Sequence, residues 1–309
     1  MKQVVFNVGD AFSTYIEFDN KTLLIDVGKS DDFNPVTGFL LPLYKKRAYA
    51  KNHNNNKYNL DQLIISHPHN DHISAINDFN NNFYPELLTC PNDNSEMQED
   101  EKINWELIND KKNVETLQDM LQGREPPLRS TNTRNEFIYY IPPKKVEDDS
   151  DLMNESYCNN ISIVVYVRIN GTKILIPGDL QKLGMEKLIN TNTSFRNIIK
   201  EGVDILIAPH HGLRSSFSVD MFKEFKDKKT RCLNIIPEKI TTEDTNRQID
   251  SRYSNKDYCM GENNFSTGNS PVYQRKTTGG HIYINYQKFA EPFFEIIESN
   301  SALIDKFFK

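Results

Sequence analysis

Short apolar segments alternate with polar punctuation along the chain, and their spacing predicts most of the elements. Residues 3–8 (QVVFNV), 13–18 (STYIEF) and 22–27 (TLLIDV) read as strands, the last two joined by a hairpin-like Asp19-Asn20-Lys21. Residues 30–58 are mixed and polar and read as a long loop, and 62–66 (QLIIS) as a buried strand with a helix beginning near Ile73. From 91 to 157 the chain is polar. Only 103–122 carries apolar residues (Leu107, Ile108, Val114, Leu117, Leu121) at helical spacing, and Pro126, Pro127, Pro142, Pro143 and an acidic run from Glu147 to Asp151 follow. This stretch is expected to be an insertion or lid, with a solvated loop as the alternative. Strands are expected again at 161–168 and 173–177, flanking an Asn170-Gly171 turn, and at 204–208, 232–236 and 281–286. Helices are expected at 180–189, 219–227 and 291–308. No segment repeats at a period of 20–50 residues. The order predicts an α/β fold, two sheets with helices outside, as one domain over 1–309.

Composition narrows the class. The 309 residues include 37 Lys plus Arg against 43 Asp plus Glu, a net charge of −6, which argues against a non-specific DNA coater. A local basic patch or a bound metal leaves a nucleic-acid substrate open. Eighteen Phe and 14 Tyr, with the Val/Ile strands, argue against disorder. The longest apolar runs, such as Ile161 to Val167, fall far short of the roughly 20 residues of a membrane span. Cys90, Cys158, Cys232 and Cys259 form no CxxC pair, so a disulfide framework is not expected and a reducing cytoplasm is the expected location.

Chemistry concentrates at the histidines. Five of the seven lie in two groups. Ser66-His67-Pro68-His69-Asn70-Asp71-His72 follows a strand, with His67 and His69 at i and i+2 so that their rings can point the same way. Imidazoles and a carboxylate packed this closely are good ligands for a divalent transition metal; a histidine-rich surface turn is the bland alternative. Pro209-His210-His211-Gly212 also ends a strand, as does Pro177-Gly178-Asp179 between the groups. Gly-Asp alone reads as a turn, but three strand ends each delivering a potential ligand point to one shared sheet edge.

Taken together, His67-Pro68-His69-Asn70-Asp71-His72, Gly178-Asp179 and Pro209-His210-His211-Gly212 resemble the metallo-β-lactamase-fold hydrolases. The resemblance covers nearly the whole chain except the middle insertion and residues 240–275. Within that superfamily the chain looks most like the branch containing the hydrolase domain of the competence protein ComEC and the phosphorylcholine esterases. FNVGDA near the start, LLIDVG at 23–28, NNISIVVYV at 159–167 and PHHG carry that likeness. The resemblance implies an αββα sandwich and two divalent metal ions, zinc or manganese. His67 and His69 would hold the first, Asp71 and His72 the second, Asp179 would bridge, and His211 would be the last ligand. His210 would face the substrate or support His211. Many relatives carry another histidine before the strand that precedes Gly-Asp. Here none lies between His72 and His210, and Asn160, Cys158 or water is left for that place in Tyr157-Cys158-Asn159-Asn160. Leu213 stands where the branch commonly has serine, and Arg214 and Ser215 or Ser216 are candidates for contacting a substrate phosphate. Asp26 is expected to accept a hydrogen bond from a ligand histidine, or else to be a buried turn carboxylate. Asp10 is a weaker candidate of the same kind. His281 is expected near the site mouth without a ligand role, and His53 in solvent. Lys223, Lys226, Lys228, Lys229 and Arg231 read as a solvated helix face or a phosphate-backbone contact.

The expected chemistry is hydrolysis by metal-activated water, with Asp71 or Asp179 orienting it; the sequence shows no nucleophile elbow or P-loop. The branch points to a phosphodiester in a nucleic acid, a nucleotide or another small molecule. A lactonase or other ester or amide hydrolase is the alternative, and a non-catalytic regulatory module with structural metals is a third reading. No membrane partner is expected.

Overall fold

Residues 1–53, 56–122, 136–226, 233–238, 248–258, 272–288 and 292–308 are described by a computed structural model. Its elements follow from two periodicities, 2.0 in the strands and about 3.6 in the helices. Strands β1 (Lys2–Val5), β2 (Thr14–Phe18) and β3 (Lys21–Ile25) form an antiparallel meander. Its second turn places Asp19 and Asn20 at φ 48° and 61°, the left-handed pair that closes a two-residue hairpin. A π-turn over Val36–Leu40 runs into α1 (Leu41–Lys46). Then come β4 (Tyr58–Ile64), α2 (Asn70–Ile73), α3 (Ile76–Asn82) and β5 (Phe83–Thr89), with β3, β4 and β5 parallel.

After α4 (Val114–Leu121) the second sheet begins with β6 (Glu136–Tyr139). Helices α5 (Pro143–Glu147) and α6 (Ser150–Asn160) lead to the hairpin of β7 (Val164–Ile169) and β8 (Thr172–Ile176). Helices α7 (Lys182–Thr191) and α8 (Thr193–Lys200) connect β8 to the parallel β9 (Ile205–Ile207). Helix α9 (Val219–Lys226) precedes β10 (Leu233–Ile236), and β11 (Gln274–Lys276) pairs with β10. Strands β12 (His281–Asn285) and β13 (Phe293–Ile297) return to the first sheet, and α10 (Asn300–Phe308) ends the chain. The first sheet has the order β13-β12-β1-β2-β3-β4-β5 and the second β11-β10-β9-β8-β7-β6.

Alternation sorts the core into layers. Val5, Ile16, Ile25 and Ile64 of the first sheet pack in one cluster with Val165, Val167, Ile176 and Ile207 of the second. Their neighbours Val4, Tyr15, Leu24, Leu63, Val164, Tyr166, Leu175 and Leu206 join the other cluster, which contains the buried helix residues. The result is the α/β sandwich the strand pattern predicts, with two sheets between helical layers. One buried polar link joins the sheets between β4 and the edge strand β6, where Gln62 Nε2 donates to Glu136 Oε1 at 2.9 Å.

Four readings change. The stretch 30–58 is not all loop: Val36, Phe39, Leu40, Leu43 and Tyr44 recur at helical spacing and are buried, a pattern masked by Gly38 and Pro42. Within 103–122, only Val114–Leu121 is α-helical; Trp105–Leu107 is a single 3₁₀ turn. The 291–308 segment divides into β13 and α10, because Phe294 and Ile297 are buried on a strand paired with β12. Part of the polar middle is built into the sandwich, since β6 pairs with β7 and α6 packs beside α7. Of the basic run, Lys223 pairs with Asp220 at 2.8 Å, while Lys228, Lys229 and Arg231 lie outside the described residues. Among the described residues no helix is long and apolar enough to cross a membrane.

Candidate metal centre

Strand ends and tight turns build the site. Beyond β4, Ser66 leads into the histidine loop, and His69 starts α2 in an extended conformation (φ −74°, ψ 147°) with its carbonyl accepting from His72 N. This loop lies against the chain after β3, where Val27 N donates to His72 O at 2.8 Å and Phe12 N to Asp71 O at 3.1 Å. The fit requires glycine at 28: a Cβ there would meet Asp71 O at 2.0 Å and Phe12 O at 2.6 Å. After β8, Gly178 turns with φ 59°, and its own Cβ position lies 2.8 Å from Ser66 Cβ. Asp179 N donates to Ser162 Oγ, and His210 N to Gly178 O, so the second and third motifs are tied together. His210, His211 and Gly212 have φ of 48°, 57° and 74°. Left-handed backbone at two successive histidines costs about 1–3 kcal/mol per residue and persists where surrounding contacts hold it.

The three motifs meet. Asp71, His72, Asp179 and His211 offer ligand atoms within 4.8 Å of one another, and so do His67, His69 and Cys158. Asp179 lies between the groups, with Oδ1 3.1 Å from His72 Nε2 and Oδ2 4.0 Å from His67 Nε2. His211 Nε2 is 3.5 Å from Asp71 Oδ2 and 3.9 Å from Asp179 Oδ2.

Hydrogen bonds on the far side of two imidazoles decide what the near side offers. Asp26, fully buried at φ 58°, accepts from Ser66 N and Ser66 Oγ, and its Oδ2 lies 2.7 Å from His72 Nδ1. His211 Nδ1 is 3.2 Å from Pro237 O. Both partners are acceptors, so each ring keeps a proton on Nδ1 and turns Nε2 toward the cluster. Both Nε2 atoms are buried and make no hydrogen bond among the described residues, their polar neighbours being the carboxylates of Asp179 and Asp71. Orphaned buried nitrogens of this kind need a partner, and a cation fits them. His67 Nε2 and His69 Nδ1 face each other at 3.1 Å, close to the roughly 3.3 Å expected of two nitrogens on one tetrahedral zinc.

Charge agrees with this. Burial, with the adjacent His72, drives His67 well below the usual imidazole range, so its ring is neutral at physiological pH. Burial also lowers His69. Burial works against charge at Asp71 and Asp179, yet the surrounding histidines hold both carboxyls well below the usual range. Burial opposes protonation of His72 too, but Asp179 and Asp26 overcome it and push His72 up, so Nε2 carries a proton beside Asp179 that a bound cation would displace. Burial pushes the Cys158 thiol up. Three carboxylates, those of Asp26, Asp71 and Asp179, thus crowd one pocket, a cluster that a divalent cation would neutralise.

The other candidates are placed as follows. His210 points its Nε2 to within 3.8 Å of Asp179 Oδ2, while its Nδ1 lies 3.2 Å from Ser216 Oγ and 3.3 Å from Ser215 Oγ. Arg214 and Ser215 are exposed beside it. Asn160 does not offer a free side chain: its Nδ2 donates to Leu152 O and Glu155 Oε2, and its Oδ1 accepts from Gln181 N. His281 is spent between Asn7 N and Asn300 Oδ1, and His53 is exposed. Asp10 lies in the wall of a cavity of about 840 Å³ that reaches Asp71. Sequence reasoning missed Ser66 and Pro237 as anchors of this site. Ser66 was visible as the polar residue between a buried strand and the first histidine; the Pro237 carbonyl left no signal.

Two sheets between helical layers, with a His/Asp cluster at the strand ends, are consistent with the metallo-β-lactamase fold. The model of the Metallo-beta-lactamase superfamily matches residues 6–152, a little under half of the chain. Among solved structures, the chain is similar to a protein from Thermotoga maritima described as a zinc-dependent hydrolase of the superfamily (13% identity, 81% of this chain and 82% of that one, TM-score 0.37). It is also similar to a diphosphatase from the PhnP family (13%, 81% and 92%, TM-score 0.35) and to AidC, a dizinc quorum-quenching lactonase (14%, 72% and 70%, TM-score 0.32). Likenesses this remote carry no weight for substrate. No curated protein matches the chain.

Proposed function

We propose that the chain is a two-metal hydrolase of a small phosphodiester, placed in the branch with the ComEC hydrolase domain and the phosphorylcholine esterases. The observation that carries the metal reading is the pair of buried, unpartnered nitrogens, His72 Nε2 and His211 Nε2, converging on Asp71 and Asp179. His67 and His69 would hold one ion and Asp71, His72 and His211 the other, with Asp179 between the two groups. When bound, a divalent pair supplies an acidified water and a Lewis acid for the phosphoryl oxygens. Asp71, about a third exposed on its side chain, orients that water. Burial lowers His210, keeping it neutral at physiological pH; a serine hydroxyl donating to Nδ1 leaves the proton on Nε2, which donates a hydrogen bond to the leaving oxygen. Asp26 and the Pro237 carbonyl keep His72 and His211 oriented. Arg214 and Ser215 stand at the rim to meet a phosphate.

The cavity beside Asp71 supports a small substrate over a polynucleotide. Asp10, Asp31, Asp32, Glu238 and Glu298 line it, and its Lys29 pairs with Asp78 at 3.0 Å. Such a wall repels a phosphate polymer. It tolerates an uncharged ester, which keeps a lactone or carboxylic ester as the second reading. The test is a panel of bis-aryl phosphodiesters, nucleic acids and lactones, with zinc- or manganese-loaded protein. Phosphodiester turnover abolished by a chelator supports the proposal; turnover of lactones alone, or of nothing, refutes it.

A further inference from the structure

The two halves of the centre are chemically unlike. Asp71, His72, Asp179 and His211 supply only nitrogen and oxygen, whereas His67 and His69 share their half with the sulfur of Cys158. Cys158 is 3% exposed and sits on a short segment fastened on both sides. The helical dihedrals of α6 break at Ser156 (φ 178°, ψ 120°), which turns residues 157–160 as a separate unit. Before the cysteine, Tyr157 Oη accepts from Asn104 N at 2.9 Å. After it, Asn160 Nδ2 donates to Leu152 O at 3.0 Å, and its Oδ1 lies where only glycine at 184 leaves room, 2.3 Å from a Cβ position.

We propose that Cys158 is the third protein ligand of the His67/His69 position, a thiolate donor that makes this half a His₂Cys site. The proposal rests on the two-metal reading above. With Asp179 Oδ2 at 4.0 Å from His67 Nε2, the half has four donors, the number a tetrahedral ion takes. Coordination releases the Sγ proton to solvent and forms the sulfur–metal bond. Thiolate ligands select zinc or cobalt over manganese, while the nitrogen–oxygen half accepts either. The halves therefore fill with different cations when zinc is scarce and manganese abundant, and Asn160 and Gly184 act as positioning residues for the sulfur.

Cobalt titration of the metal-stripped, full-length protein tests this without an activity assay. Thiolate-to-cobalt charge-transfer absorption in the near ultraviolet is expected to rise to saturation at one cobalt, with visible d–d bands continuing to a second. Cys158→Ser loses the charge-transfer band and keeps d–d bands; Cys90→Ser, Cys232→Ser and Cys259→Ser keep both. Cys158→His, checked for folding by circular dichroism, binds two cobalt ions without the charge-transfer band. Two bound cobalt ions with no such band in the wild-type protein overturn the Cys158 assignment alone, as does a band that survives in Cys158→Ser. Absence of any cobalt binding overturns it together with the two-metal reading.

Discussion

Asp26 holds a proton on Nδ1 of His72, and an asparagine in its place reverses that arrangement. Oδ1 accepts from Ser66 N, and Oδ2 meets both Ser66 Oγ and His72 Nδ1, all at 2.7 Å. A carboxylate only accepts, so Nδ1 keeps a proton and Nε2 is the nitrogen left for a cation. In Asp26→Asn, Oδ1 keeps the Ser66 N bond while the amide nitrogen replaces Oδ2 and donates to Nδ1. The ring proton then moves to Nε2, and the nitrogen aimed at Asp179 becomes a donor. The backbone is no confounder, because asparagine tolerates φ 58° well. Losing such an outer partner costs about 10–100-fold in metal affinity, or about 1.4–2.8 kcal/mol. Zinc competition against a chromophoric chelator should therefore show one of two zinc ions released at lower chelator concentration. Thermal unfolding in excess chelator should show a folded protein. A folded Asp26→Asn that holds two zinc ions with wild-type affinity refutes the reasoning.

Three further outcomes are expected. Gly28→Ala displaces the Asp71 carbonyl, whose oxygen lies 2.0 Å from the new Cβ; metal analysis and circular dichroism should show loss of bound metal or a cost above about 4 kcal/mol. Burial pushes Glu136 up to about 7 from 4.5, so the folded state binds more protons than the unfolded chain between those values. Its contribution to stability is full below pH 4.5 and lost as pH rises through about 7; Glu136→Gln should remove that pH dependence and gain at most about 3 kcal/mol at neutral pH in urea unfolding. His210→Ala should lower kcat by about 10²–10³ on the best panel substrate with metal content unchanged; a parallel loss of metal would move His210 from hydrogen-bond donor to ligand.

How much was legible follows from distance along the chain. His67 and His69 are separated by one residue, and strand pleat puts such residues on one side, so local spacing exposed the first histidine pair. The tight turns at Asn170-Gly171 and Gly178 were equally visible, because only a few residue types occupy their dihedrals. Strands β5 and β6 were not. They lie at sheet edges, Pro85 interrupts one and Glu136 opens the other, so neither has the apolar run that marks a central strand. The β13 segment was read as helix because Phe293, Phe294, Ile296 and Ile297 fit both periods, and pairing with β12 decides between them.

By itself the chain's order of residues determined the donor types, their grouping at three strand ends and the two-sheet α/β pattern, since each depends on neighbours a few positions apart. Only the tertiary structure decided which nitrogen of His72 and His211 faces the cluster, that Asn160 is structural, and that Cys158 lies beside His67 and His69. Those outcomes depend on Asp26, Pro237 and Gly184, residues between about 24 and 46 positions from the groups they control, brought there by sheet pairing and helix packing. Local sequence carries no record of such contacts, because they form only when burial of the whole core makes them favourable.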